Sequence, residues 1–87
     1  MKSIDVTLNN EAGLHARPAS MFIREVLKYS SDVKVIKDEQ EYNGRSIMGI
    51  LSMGAIKGSK LTIICEGIDE NEAIIGLKKL IDSNFGE

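Results

Sequence analysis

The sequence has one cysteine, one histidine, one proline and no tryptophan. The single cysteine, Cys65, excludes an internal disulfide and favours a reducing compartment, so we expect a cytoplasmic protein. With no second histidine, and no cysteine or carboxylate pair at ligand spacing, we expect no metal site. A glycine-rich phosphate loop ending in Lys and Ser or Thr is also missing, so we expect no nucleotide site and no cofactor.

An excess of positive charge is missing as well. Eleven Lys and Arg residues stand against 13 Asp and Glu, which gives a net charge of −2 and argues against direct contact with nucleic acid. Apolar runs are only a few residues long and the start, MKSIDVTL, alternates, so neither membrane insertion nor a signal peptide is predicted. The length allows one domain, residues 1–87, with one modest core, too small to wall a substrate cavity. We therefore expect a carrier or binding protein that is not an independent enzyme.

Alternating apolar residues predict four strands. The segments are SIDVTL near the start, DVKVIKD and EQEYN as a pair joined near Asp38 and Glu39, and KLTIICE, in which Cys65 alternates with Leu61 and Ile63 as a core residue. Val33 and Val35 are expected on the inward face of the second strand.

Three helices are predicted between and after these strands. Apolar residues spaced by three and four indicate a helix from Ala16 to about Tyr29. Ser46 can cap a short helix, Ile47 to about Met53, that Gly54 closes. Asp69 with Glu72 resembles a capping box before a last helix. The order βαββαβα predicts an α+β fold in which helices cover one face of an antiparallel sheet.

The stretch AGLHARPAS, residues 12–20, contains the only histidine. A lone histidine is usually a surface or capping residue, but the neighbours of His15 favour a nucleophile that holds a phosphoryl group. Gly13 allows a sharp turn, Pro18 fits the first turn of the helix, and Arg17 offers a planar cation for phosphate oxygens. The free N–H groups at the helix start would face an anion on the imidazole.

GLHARPA together with RSIMGILSMG, at this separation, resembles the HPr family, the histidine-containing phosphocarrier proteins of the bacterial phosphoenolpyruvate-dependent sugar phosphotransferase system. The resemblance runs essentially end to end. It implies an open-faced β-sandwich with a four-stranded antiparallel sheet and three helices. It also implies phosphorylation of His15 at Nδ1, the pros nitrogen, with assistance from Arg17. The pattern itself places the helix start at Ala16, with Pro18 in the first turn. The implied donor is enzyme I, charged by phosphoenolpyruvate, and the implied acceptors are enzyme IIA units.

The second motif suggests where partners dock. We expect Ile50 and Met53 to pack inward and an exposed apolar patch to form from Ile47, Met48 and Leu51. The alternative is that all five are core residues. On the first helix, Ser20 and Arg24 are further candidate docking residues.

Ser46 can be a helix cap and nothing more. The resemblance to Gram-positive members of the family adds that it is a target of HPr kinase/phosphorylase, and that the phosphoserine form binds a LacI-type catabolite control repressor. The functional prediction is a monomeric phosphocarrier for sugar uptake that is regulated at Ser46. The alternative is an HPr-like regulatory module that acts mainly through phosphorylated Ser46. The segment from Lys37 to Arg45 departs from the family pattern, with Glu39 and Gly44 where many relatives have glycine and an apolar residue.

Overall fold

A computed structural model describes residues 1–86 of the chain. The strands are β1 (Lys2–Thr7), β2 (Asp32–Lys37), β3 (Gln40–Asn43) and β4 (Lys60–Glu66), and the helices are α1 (Ala16–Val26), α2 (Ile47–Ser52) and α3 (Glu70–Asp82). A short 3-10 turn, Asn84–Gly86, follows α3. The order βαββαβα is the one that the sequence predicts.

The four strands form one antiparallel sheet in the order β1-β4-β2-β3. Strand β4 lies inside the sheet, with Leu61 opposite Val6 of β1 and Ile63 opposite Val35 of β2. The three helices cover one face of this sheet, so the predicted α+β open-faced sandwich is confirmed. Within residues 1–86, no helix combines the length and the apolar character needed to cross a bilayer.

The core lies between the sheet and the helices. Alternate strand residues point into it, among them Val33, Val35 and Cys65, while Asp5 and Lys34 lie exposed on the opposite face. Helices α1 and α3 each contribute a buried stripe: Ala19, Phe22 and Val26 from α1, and Ala73, Leu77 and Ile81 from α3. Burial raises the pKa of the Cys65 thiol to about 11, which suits an inert core residue.

Helix α1 ends at Val26, three residues before the predicted end near Tyr29. The N–H groups of Lys28 and Tyr29 donate to the backbone carbonyls of Glu25 and Val26, each three residues earlier. The α-helix therefore ends in a tighter turn of the 3-10 type. Apolar periodicity does not distinguish this turn from a continuing helix.

The predicted capping box at α3 is wrong. Asp69 is the N-cap residue, but its side chain makes no hydrogen bond to the helix. Its carboxylate instead accepts hydrogen bonds from the N–H groups of Ser30 and Ser31, both at 2.9 Å, in the loop before β2. The neighbouring Glu70 accepts from the Gly67 N–H at 3.1 Å. The Asp69 carboxylate is therefore directed at this distant loop and makes no bond to its own helix.

The β2–β3 hairpin turns at Asp38 and Glu39 as predicted, and both residues have positive φ angles, 50° and 68°. Gly44, the other departure from the family pattern, follows β3 where the chain passes Val33. A Cβ atom at Gly44 would lie 2.6 Å from Cγ1 of Val33, so this close approach requires glycine.

Candidate functional site

His15 is the N-cap residue of α1, with an extended backbone (φ −78°, ψ −169°) and an exposed side chain. Its carbonyl accepts the first hydrogen bond of the helix, from the Ala19 N–H at 2.9 Å. Its imidazole makes no capping hydrogen bond, and no other group in residues 1–86 is hydrogen-bonded to either ring nitrogen. Ala16 and Pro18 lie in the first turn, as predicted, and Pro18 is buried.

The start of α1 can receive an anion. The N–H groups of Ala16 and Arg17 have no acceptor among residues 1–86, and Pro18 has no N–H. The first turn contains no acidic residue. Arg17 is exposed and has no carboxylate within ion-pair distance in the described part of the chain. Two N–H groups and the positive end of the helix dipole therefore lie at the helix start that His15 caps, and the exposed Arg17 follows two residues later.

The loop before His15 packs against the chain that follows α2. Gly13 has a φ angle of 59°, and a Cβ atom there would lie 2.5 Å from the carbonyl oxygen of Ala55 and 2.7 Å from Cα of Ile56. The next residue, Leu14, is buried, and its N–H donates to the same Ala55 carbonyl at 3.0 Å. Gly13 is needed for both the turn and the close approach.

Helix α2 divides its apolar residues as predicted. Ile50 and Met53 are buried, whereas Ile47, Met48 and Leu51 are 37%, 73% and 38% exposed. The alternative in which all five form core is therefore wrong. An exposed apolar group of this kind on so small a domain suits contact with another protein.

Ser46 is the N-cap of α2, and its hydroxyl oxygen accepts a hydrogen bond from the Gly49 N–H at 3.0 Å. This confirms the predicted cap. The exposed α2 residues lie between Ser46, at the start of the helix, and Ala55, which contacts the loop of His15 after its end. A modification of Ser46 would therefore act directly before Ile47, the first residue of the apolar patch.

The exposed side of α1 is basic. Arg17, Ser20 and Arg24 are exposed, and a shallow depression is lined by Ala16, Arg17, Ser20, Met21 and Arg24. Arg24, like Arg17, has no carboxylate partner among the described residues, and the two cations lie about two turns apart. This surface suits an acidic partner.

The sequence did not single out two residues near His15. Ile56 is 63% exposed beside Gly13, and Asn10 is only 4% exposed although it lies in the loop between β1 and α1. Both lie outside regular elements, where periodicity gives no signal for burial or exposure. Only the packing of the two loops reveals them.

The fold and this site define a small open-faced α+β sandwich that presents one histidine at a helix N-terminus. A family model described as "PTS HPr component phosphorylation site" matches residues 2–83. The chain belongs to the HPr family of phosphocarrier proteins of the phosphotransferase system.

Individual relatives agree with this membership. The chain is 35% identical over 82 residues to the phosphocarrier protein HPr of Treponema pallidum, which covers 94% of this chain and 93% of that protein. It is 40% identical over 81 residues to the HPr-like protein Crh of Halalkalibacterium halodurans, covering 93% and 94%. A crystal structure of HPr from Thermoanaerobacter tengcongensis matches with a TM-score of 0.98 and 46% identity, over 100% and 98% of the two chains. HPr of that organism has also been crystallised as a dimer, which matches with a TM-score of 0.81.

Proposed function

We propose that the chain accepts a phosphoryl group on Nδ1 of His15 from enzyme I, which phosphoenolpyruvate has charged, and transfers it to enzyme IIA units for sugar uptake. In each transfer the bond from phosphorus to the donor breaks as the bond to the acceptor forms. The observation that supports this best is the exposed imidazole beside the unfilled N–H groups of Ala16 and Arg17. The Arg17 guanidinium would contact the phosphoryl oxygens.

The strength of these contacts suits a carrier. A helix N-terminus stabilises a nearby anion by about 0.3–1 kcal/mol, and one charge-assisted hydrogen bond contributes about 1.5–3 kcal/mol. Contacts of this size orient the phosphoryl group without holding it so tightly that it cannot leave. The proposal therefore includes no catalysis by the isolated chain.

In this proposal the partners dock on two helix surfaces, the apolar patch of α2 and the basic side of α1. The apolar patch of Ile47, Met48 and Leu51 would bury against the partner, and Met48 can adapt its flexible side chain to more than one surface. The basic side of α1, with Ser20 and Arg24, would meet acidic groups.

Ser46 supplies the regulation in this proposal. Phosphorylation by HPr kinase/phosphorylase would add a charge of about −1.5 to −2 at the start of α2, which the helix dipole tolerates. The same charge beside Ile47 and Met48 would oppose apolar docking and slow phosphorylation of His15. The phosphoserine form would bind a LacI-type catabolite control repressor.

A second candidate function is an HPr-like regulatory module that works mainly through phosphorylated Ser46. The observation that favours it is the position of Ser46 at the N-cap of α2, directly before the exposed apolar residues that begin at Ile47. It differs from the carrier in having little transfer through His15.

The test is a mixture of the chain, enzyme I, magnesium and labelled phosphoenolpyruvate, with and without an enzyme IIA. The carrier proposal expects acid-labile label on the chain that moves on to enzyme IIA, and no label on His15→Ala. Label that fails to reach enzyme IIA favours the regulatory module, and an unlabelled wild-type chain overturns the carrier proposal. A phosphohydrolase would instead release phosphate steadily from phosphoenolpyruvate when the chain is incubated without enzyme I.

The docking surface has its own test. Met48→Glu is expected to raise the KM of enzyme I for the chain at least several-fold, because it places a charge in an apolar contact. Ile75→Glu on α3 is the matched control, since Ile75 is 66% exposed and lies on another helix. Equal KM values for the two variants would contradict the docking surface. Size-exclusion chromatography of the same proteins tests the expected monomer against the dimer seen for a relative.

A further inference from the structure

Asn10 lies in the loop between β1 and α1, and its buried side chain binds the backbone of that loop. It is 4% exposed, and its Nδ2 donates to the carbonyl oxygen of Gly13 at 2.8 Å. In the opposite direction, the Gly13 N–H donates to the Asn10 carbonyl at 3.1 Å. Side chain and backbone therefore fasten the same turn, residues 10–13. We infer that Asn10 is a positioning residue for phosphoryl transfer, acting through the loop and not by contact with the reacting group; this inference rests on the proposed role of His15.

The hydrogen bond of Asn10 fixes one particular peptide unit. The carbonyl of Gly13 and the N–H of Leu14 belong to the same peptide group, the second one before the residue His15. The carbonyl is held by Asn10, and the N–H is held by the Ala55 carbonyl at 3.0 Å. With both polar ends bound, this peptide plane cannot rotate about its neighbouring backbone bonds without breaking a hydrogen bond.

The position of Gly13 makes this constraint necessary. Glycine allows wide rotation on either side of its Cα, so a peptide after glycine reorients at lower steric cost than one after any other residue. The other side-chain tie across this loop, between Glu11 and Lys57 at 2.7 Å, is an exposed ion pair and holds the loop weakly. Without the Asn10 amide, we expect the Gly13–Leu14 peptide to sample several orientations.

A change in the orientation of this peptide would change the position of the His15 ring, because the backbone continues directly from Leu14 to His15. Leu14 leads directly into His15, whose extended backbone sets where the ring stands relative to the N–H groups of Ala16 and Arg17. In-line transfer requires the acceptor nitrogen to be aligned with the incoming phosphorus, and small misplacements reduce the rate strongly. The docking surfaces on α1 and α2 lie outside this loop, so binding of enzyme I would be preserved.

The experiment compares Asn10→Ala and Asn10→Asp with wild type in the enzyme I assay. Asp matches the shape of Asn, but its carboxylate cannot donate to the Gly13 carbonyl at neutral pH. We expect both variants to lose roughly tenfold or more in kcat, with an unchanged KM. Asn9→Ala is the matched control, because Asn9 is the exposed neighbour and should behave as wild type.

A second readout follows the peptide itself. Hydrogen exchange of the Leu14 amide should become faster in both Asn10 variants, while amides of β4 keep their wild-type protection. Circular dichroism verifies that each variant is folded at the assay temperature.

The outcomes separate this inference from the proposed function. If wild type accepts label and both Asn10 variants keep its kcat, the positioning role is wrong and the carrier role stands. A raised KM with unchanged kcat also overturns the inference, because it would place Asn10 in docking. If wild type accepts no label, the proposed function fails and the positioning role fails with it.

Discussion

The carboxylate of Asp69 accepts hydrogen bonds from both the backbone N–H and the hydroxyl of Ser31, 38 residues earlier in the chain. On the other side of the same loop, Nη2 of Arg45 donates to the carbonyls of Tyr29, at 2.8 Å, and Ser31, at 2.9 Å. The Asp69 carboxylate thus binds the hydrogen-bond donors of this loop, and the Arg45 guanidinium binds its carbonyl acceptors. Because Arg45 precedes Ser46, this loop also ties the cap of α2 to the start of α3.

The Asp69 contacts predict acid sensitivity. The Ser31 hydroxyl and the Ser30 N–H lower the pKa of Asp69 below the ordinary value of 3.8. Since the folded-state pKa is depressed, the stabilisation is complete above the unfolded-state pKa and is lost as the pH falls through the folded-state value. Asp69→Asn should therefore have a lower Tm than wild type at neutral pH, and the difference should shrink below about pH 4.

The control for this measurement is Asp82→Asn. Within residues 1–86, the one side-chain contact of Asp82 is an exposed ion pair with Lys78, so its removal should change the Tm little. Thermal unfolding followed by circular dichroism between neutral pH and about pH 2 gives all three curves. A gap between wild type and Asp69→Asn that stays constant with pH would show that the carboxylate charge is not the cause.

Backbone strain at the β2–β3 hairpin predicts a stabilising substitution. Glu39 has a φ angle of 68°, a conformation that costs a residue with a side chain about 1–2 kcal/mol. Glycine relieves this cost but loses about 0.5–1 kcal/mol more chain entropy on folding. We expect Glu39→Gly to raise the free energy of unfolding in urea by about 0.5–1 kcal/mol, and Gln40→Gly, in strand β3, to lower it. A destabilised Glu39→Gly would mean that the turn is not strained.

Much of the fold follows from local rules in the sequence. The alternation of Leu61, Ile63 and Cys65 identified a strand with one covered face, and the structure places all three in the core. Ser46 was identifiable as a cap because its partner, Gly49, is only three residues away. The failure at Asp69 has the opposite cause: its partners Ser30 and Ser31 are remote in sequence, and tertiary hydrogen bonds outcompeted the local cap.

The candidate site shows the same division. The arrangement of Gly13, His15, Arg17 and Pro18 around a helix start obeys rules that act within a few residues, so the sequence indicated it. Asn10 gave no signal, because an asparagine in a loop is usually exposed, whereas this one is only 4% exposed in a loop whose backbone bonds to Ala55 and Ser59.

Gly76 lies where α3 passes the end of α1, and it predicts a coupled effect on Tyr29. The Tyr29 hydroxyl donates to the Glu25 carboxylate at 2.8 Å, and burial together with this bond raises the pKa of Tyr29 to about 12. A Cβ atom at Gly76 would lie 2.1 Å from the Tyr29 hydroxyl oxygen. Gly76→Ala should displace the tyrosine and lower its pKa towards 10, as measured by phenolate absorbance in a Tyr42→Phe background.

Stability gives a second measure of the same contact. Replacing glycine by alanine inside a helix normally raises the free energy of unfolding by about 1 kcal/mol, whereas overpacking lowers it by about 1–3 kcal/mol. We expect Gly76→Ala to be destabilised by about 1 kcal/mol in urea unfolding. Asn71→Ala, at an exposed position of α3, should be stabilised instead. A stabilised Gly76→Ala with an unchanged tyrosine titration would contradict the close approach.

Ser46 allows capping and charge to be separated. Ser46→Ala removes the acceptor of the Gly49 N–H and should cost about 1 kcal/mol of stability, without harm to docking. Ser46→Asp keeps an acceptor at the N-cap, so its stability should match wild type or exceed it. Its charge beside Ile47 and Met48 should nevertheless slow phosphorylation of His15 by enzyme I several-fold, mainly through KM.

The pair is measured by urea unfolding and by the initial rate of label transfer from enzyme I. The ranking of the two variants by stability should be opposite to their ranking by transfer rate. Ser46→Asp should be the more stable protein and the poorer substrate of enzyme I, whereas Ser46→Ala should be less stable and a normal substrate. Because stability and transfer move in opposite directions, loss of folding cannot account for the slower transfer. If Ser46→Asp is charged at the wild-type rate, charge at this cap does not control docking. If Ser46→Ala is slowed as much as Ser46→Asp, loss of the serine hydroxyl is responsible and the electrostatic explanation is wrong.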